Sequence, residues 1–499
     1  VGAVVDALSG LMAGLDVALS PDNLGFCLAG VALGTLVGVL PGVSSLAAVA
    51  MLLPFTHALS PITALVLLAG VYYGSEYGGS IASILLNVPG TPASAVSCLD
   101  GHPMARAGRA REALILSAGA SFCGAVVGIG MMLAMAAPLA GLAFMLGPAE
   151  YFAIMLFGLV CTAAVGRGHL AAGLAAMLAG VGLAMVGTDA QTGVARFTFG
   201  LAELRDGVPL VVLAMGLFGV SEVMLSMFAA IPAVRCPVGS SGGWPRISAW
   251  RGAAGPMLRG GALGGLFGAL PGTGPTLASI AAYALERRLS DRPERFGQGA
   301  IAGLAAPEAA NNAAAQTAFV PTLALGIPGS ATMALILGAM SVHGVVPSPL
   351  LAVESPELFW GLMASFVIGN VLLLVLNVPL VGLWVRILRV PPERLYPFVL
   401  VLIGVSTFGA RGSAFDVWIA LGIGLLAYGL RRSGVQLAPV LIGFVLGPLV
   451  EENFRRALAI SQGDFAIFVS SPIALAALGA VVVLLAVAGY RSFRNAWLA

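Results

Sequence analysis

At 499 residues, 59% apolar and 9% charged, the chain lies far from a soluble globular domain, in which about a quarter of the residues are charged. Its 24 basic residues nearly balance 22 acidic ones, and no basic patch runs along a polar stretch, which argues against a nucleic-acid partner. Apolar runs recur throughout, each near the ~20 residues needed to cross a bilayer. A window of about 19 residues gives roughly ten to twelve spans plus broken or re-entrant pieces, so the expected fold is an all-α polytopic membrane protein.

Residues 1–20 carry Leu8, Leu11, Met12 and Leu15 at helical spacing, while Asp6 and Asp16 keep the segment polar. That pattern predicts an interfacial amphipathic helix rather than a first span. The first half is placed at 21–232. Its first span runs from Leu24 to Leu40 and stops at Pro41-Gly42; a second segment reaches Pro54 and a third starts after Pro61. A polar, glycine-rich stretch from Tyr72 to Ser80 then leads to a Pro-Gly break at Asn87–Ser94, and Asp100–Arg111 reads as a polar loop. Residues 112–232 are smoother and resemble scaffold.

A polar linker is placed at 233–251 and a second half at 252–499. There, Gly261–Gly272 echoes Gly30–Gly42, and Ile327-Pro328-Gly329-Ser330 echoes Val88-Pro89-Gly90-Thr91. Two motifs recurring in the same order predict an internal repeat. No lysine occurs, so arginine alone marks the cytoplasmic side. Arg106, Arg109 and Arg111 follow the first break, whereas Arg287, Arg288, Arg292 and Arg295 precede the second. Equivalent loops then face opposite sides, which is the signature of an inverted-topology repeat.

Unwound backbone survives at membrane depth only where protein buries it or a watery cavity meets it. A helix that stops at Asn87 leaves free carbonyls suited to a cation, and one that restarts near Thr91 offers free amides suited to a carboxylate. The bland alternative is a pair of proline kinks that serve packing. Within 306–317, Glu308, Asn311, Asn312 and Gln316 interrupt an apolar run. Facing lipid, a central carboxylate would cost about 2.5–3.5 kcal/mol, so these side chains face the bundle interior or water. They form either a cation or substrate site or an interhelical hydrogen-bond brace. Glu76 is equally compatible with an interfacial position.

Enzyme signatures are missing. The four histidines have no metal-binding spacing, neither H-E-x-x-H nor G-x-S-x-G occurs, and a chain without lysine has no P-loop. The five cysteines are scattered without C-x-x-C and read as buried small side chains. No cofactor is expected.

The run Tyr77-Gly78-Gly79-Ser80 through Leu86-Asn87-Val88-Pro89-Gly90-Thr91-Pro92, followed by Leu99-Asp100-Gly101-His102-Pro103-Met104, resembles the large membrane subunit of the tripartite tricarboxylate transporter family. Pro307-Glu308 with Asn311-Asn312, and Gly326-Ile327-Pro328-Gly329-Ser330 followed by His343-Gly344, match that family's second-half pattern. Departures are His102, where relatives often carry tyrosine, and Glu76 ahead of the Tyr-Gly-Gly. The resemblance implies secondary uptake of a tri- or dicarboxylate, citrate being one class, across the bacterial inner membrane. Implied partners are a small membrane subunit and a periplasmic solute-binding protein, with Na+ or H+ as coupling ion. Expected substrate-binding positions are Ser80, Asn87, Gly90, Thr91, Ser94, Asn311, Asn312, Gly329, Ser330 and Thr332. Expected ion-coupling positions are Pro41, Gly42, Asn87, Pro271, Gly272, Glu308 and Asn311. The clustering of polar breaks suggests an elevator, a transport domain moving against scaffold helices. On this reading Asn87→Ala, Asn311→Ala and Asn312→Ala lose uptake without unfolding. The rival class is a passive organic-anion channel, or an exporter that needs no binding protein.

Overall fold

The computed structural model describes residues 2–40, 43–142, 145–165, 170–189, 191–228, 243–387 and 392–498. Pro41, Gly42 and the linker up to residue 242 lie outside them. Among the described residues, regular structure is helical apart from Gly187–Thr188 paired antiparallel with Ala195–Arg196. Among the described residues, seven helices are long and apolar enough to cross a bilayer, and five shorter apolar helices of 10–17 residues accompany them. The chain is an all-α polytopic membrane protein.

Nine helices position the site. In the first half they are α1 (Pro21–Val39), α2 (Pro61–Leu86), α3 (Ser97–Met104) and α4 (Ala110–Leu142). The second half supplies α5 (Ile247–Gly268), α6 (Gly274–Leu289), α7 (Ile301–Thr317), α8 (Ala331–Val342) and α9 (Pro356–Asn377). Helix α5 therefore begins inside the stretch read as linker. The short helix Phe319–Leu325 follows α7 directly.

The polar helices are the innermost ones. Every residue of α2 from Thr63 to Leu86 is buried, as is every residue of α7 from Gly303 to Thr317. Neither shows an amphipathic face to solvent or lipid, because neither has an outward face. Their carboxylates and amides thus avoid hydrocarbon altogether, which is how such residues persist in a membrane protein.

Small residues bring these helices together. Gly30, Gly34 and Gly38 of α1 lie against the carbonyls of Leu67, Val71 and Ser75 on α2. In the second half, Gly260, Gly264 and Gly268 of α5 lie in the same manner against the carbonyls of Ala306, Ala310 and Ala314 on α7. Gly124 and Gly128 of α4 approach the α7 backbone at Ala309 and Ala313. Where lipid removes the hydrophobic drive between helices, such close backbone packing supplies much of the association energy.

The expected loop at Asp100–Arg111 is instead helical. Helix α3 runs into a π turn at Ala105–Arg109, bends at Gly108 (φ 78°), and continues as α4. Gly101, Pro103 and Gly108 look like breakers in isolation. Tertiary partners of Asp100, described below, hold the segment helical. Around this centre, Pro148–Val165, Leu170–Ala184, Ala438–Ile460 and Pro472–Leu498 pack together as one outer group. The N-terminal helix Gly2–Ala18 lies along α9, with Gly10 and Gly14 seated on Trp360.

Candidate functional site

The two Pro-Gly breaks match residue by residue. Helix α2 ends at Asn87 in the left-handed region (φ 56°, ψ 29°), and Phe319–Leu325 ends at Gly326 in the same conformation (φ 65°, ψ 25°). Val88-Pro89-Gly90 and Ile327-Pro328-Gly329 follow. Each restart is then capped by a hydroxyl three residues upstream of the amide it binds. Thr91 Oγ1 accepts from Ser94 N at 3.3 Å, and Ser330 Oγ accepts from Met333 N at 3.3 Å. Gly90 and Gly329 lie toward the carbonyls of Gly38 and Gly268, the last glycines of their respective ladders.

Asn87 is exposed, so its side chain does not line the interior. Its place opposite Gly326 explains the residue choice, since asparagine is among the few non-glycine residues that visit this conformation. Asn87→Gly is therefore expected to retain uptake and stability. Asn87→Ala should cost about 1–2 kcal/mol through backbone strain, measurable as a lower thermal midpoint, rather than abolish binding outright.

Inside, Glu308 of α7 is 1% exposed and caged by hydroxyls. Ser80 and Ser121 donate to Oε2 at 2.8 and 3.1 Å, and Ser97 donates to Oε1. These serines come from α2, α4 and α3, so one carboxylate gathers three first-half helices onto α7. Glu76 of α2 is 4% exposed, which places it in the interior. Its Oε2 accepts from Thr91 Oγ1 at 3.0 Å, linking α2 to the first break. No ion pair among the described residues reaches either carboxylate.

Unpaired polar atoms collect on the same helix. Both amide atoms of Asn311, both of Gln316 and Oδ1 of Asn312 are buried without a hydrogen bond, as is the Tyr72 hydroxyl. The remaining Asn312 donor binds the Glu308 carbonyl at 3.1 Å. Buried polar groups are nearly always satisfied, so this concentration marks a place where polar chemistry other than folding is served. Asn311 faces Glu76, and the Tyr72 ring carries its hydroxyl toward Glu76 and Ser330.

The other expected positions fall around this centre. Ser94 is buried, accepting from Thr91 N at 3.1 Å. Gly329 and Thr332 are buried and Ser330 half-buried. Gly272 (φ 78°) abuts the Cys161–Thr162 backbone of the outer group, while Gly274 lies beside Gly329 and Ser330. Pro271 is half-buried in that turn.

One residue had been passed over. Asp100, fully buried, accepts from the amides of Gly297, Gly299 and Ala300 at 2.9, 2.8 and 2.7 Å, and from Tyr283 Oη at 3.0 Å. It thereby ties α3 to the start of α7, where free amides favour an anion. An aspartate with no arginine three or four residues away was the available signal.

A family model described as the tripartite tricarboxylate transporter TctA family matches residues 24–442. The chain belongs to that family. It is a component of a tripartite transporter, a system with other subunits and a binding protein, and the family is one of transporters rather than enzymes. Two relatives come from Agrobacterium vitis. An "uncharacterized 52.8 kDa protein in TAR-I ttuC' 3'region" is 45% identical over 97% of both chains. An "uncharacterized protein in TAR-II ttuC' 3'region" is 50% identical over 45% of this chain and 93% of its own length. No solved structure matches. Within this TctA-family chain, the matched segment includes both Pro-Gly breaks, both interior carboxylates and Asp100.

Proposed function

We propose that this chain is the membrane pathway of an ion-coupled carboxylate importer of the bacterial inner membrane. On this reading a periplasmic solute-binding protein delivers the acid and a small membrane subunit completes the transporter. The observation that carries the proposal is the matched pair of breaks. Two left-handed helix ends, each followed by a hydroxyl that accepts from the amide three residues on, flank a buried helix with several incompletely satisfied amide groups. Capped restarts present backbone N–H groups to a carboxylate, and the preceding ends present carbonyls to a cation.

The arginine distribution and the glycine ladders support two inverted repeats. An elevator follows from the same contrast: polar, glycine-packed helices α1–α8 form the moving body, and the apolar outer group is its frame. In this arrangement Glu308 holds the moving body together through the Ser80, Ser97 and Ser121 hydroxyls.

The test is uptake of labelled citrate and several dicarboxylates into proteoliposomes containing this chain and its small subunit. Binding protein and imposed Na+ or proton gradients are added or withheld. Uptake that needs both is the expected result. Uptake indifferent to both would identify a passive channel and end the importer reading.

A further inference from the structure

We infer that Glu76, Asn311 and Tyr72 form the seat of a sodium ion, and that Glu308 does not. The inference rests on the ion-coupled reading above and assigns the ion a place. The two interior carboxylates differ in what already surrounds them. Glu308 receives hydroxyl donors on both oxygens from three helices. A cation approaching it would meet the proton ends of those hydroxyls. Glu76 receives one hydroxyl, from Thr91.

Two of the incompletely satisfied side chains, Asn311 and Tyr72, lie beside Glu76. Asn311 is 1% exposed, its amide lies against the Glu76 carboxylate, and neither amide atom completes a hydrogen bond of normal geometry. The Tyr72 hydroxyl, on a side chain 2% exposed, completes no hydrogen bond of normal geometry and lies against Ser330, within electrostatic reach of Glu76. One carboxylate oxygen pair, an amide carbonyl and a phenol oxygen are thus gathered in a buried setting, with the Thr91 and Ser330 hydroxyls at the rim. Hard oxygens around one carboxylate, with the Glu308 charge within electrostatic reach of it, suit a hard monovalent cation; divalent sites recruit more carboxylates directly. No arginine neutralises Glu76 among the described ion pairs, and a buried carboxylate left alone is costly.

The location gives the ion a role. Glu76, Thr91 and Tyr72 belong to the first half, Asn311 and Ser330 to the second. A bound ion would draw together the two hydroxyls that cap the restarts, and so order the amides that receive a carboxylate. Ion and acid then raise each other's affinity by the same factor.

The test is direct binding to purified protein in detergent, using 22Na+ and thermal unfolding in NaCl against KCl or choline chloride at equal ionic strength. Wild type should gain stability with NaCl alone, as a ligand of the native state does. Glu76→Gln and Asn311→Ala should lose about tenfold or more in Na+ affinity, the size expected when a charge-assisted contact is removed. Their unfolding in choline should stay near wild type. Tyr72→Phe provides a milder variant, weakened about three- to tenfold. Glu308→Gln should lower stability in choline while keeping its Na+ affinity.

A Na+ response lost in Glu308→Gln but kept in Glu76→Gln would overturn the assignment. So would a wild type that responds to pH but not to sodium, which would give the carboxylate to a proton. Na+ binding at Glu76 alongside uptake that ignores the sodium gradient would uphold the site and remove the coupling reading instead.

Discussion

Asn311→Ala is expected to leave a folded, monodisperse protein whose carboxylate uptake falls about tenfold or more. The asymmetry follows from the hydrogen-bond inventory of α7. Neither Asn311 amide atom has a hydrogen-bond partner in the protein, although the residue is 1% exposed. Truncation therefore removes at most the loose contact with Glu76 and leaves only a small void, a cost of about 1 kcal/mol or less. An unpaired buried amide is itself a stability cost, and removing it offsets part of the loss. What disappears is the amide that α7 presents to Glu76. Size-exclusion profiles and thermal midpoints measured beside proteoliposome uptake would check this. Normal uptake would remove Asn311 from the site. Poor folding with proportionate loss would favour a brace between helices.

Gly264→Leu should have the opposite signature, with little folded protein recovered at all. A Cβ at this position would run into the Ala310 carbonyl and its neighbouring backbone. Backbone cannot step aside as a flexible side chain can, so helices α5 and α7 would have to separate. Overpacking commonly costs about 1–3 kcal/mol, and here the displacement would spread along the ladder to Gly260 and Gly268 and to the turn that meets the second break. Gly34→Leu makes the corresponding change against Val71 of α2. Gly130→Leu is the matched control, because a Cβ there meets nothing within 4 Å. Fluorescence-detected size exclusion of the three variants should show loss for the first two and a normal peak for the control. Normal peaks from all three would show that the ladders tolerate separation.

Local chemistry accounts for what could be read from the chain alone. Composition determined a helical membrane protein, since at 9% charge the spans must satisfy their own amides. Proline, glycine and asparagine at 87–91 and 326–330 marked both breaks, because these residues act on their own φ and ψ. The exclusion of Glu308, Asn311 and Asn312 from lipid followed from the cost of placing them there. The segment Asp100–Arg111 reads as a loop because its polar residues and arginines report only on their own exposure, whereas helix α3 is held by contacts far along the chain.

Partnership belonged to the tertiary structure. Asp100 binds amides at 297–300, and Glu308 collects hydroxyls from residues 80, 97 and 121. Nothing in either neighbourhood names those partners, because side-chain type sets what a group can bind but not which group the fold brings to it. The same distinction separates Asn87 from Asn311. Both are asparagines beside apolar runs, yet one ends a helix with its side chain outward and the other lies unpaired at the centre. Only the packing of α2 against α7 decided which of them faces the site.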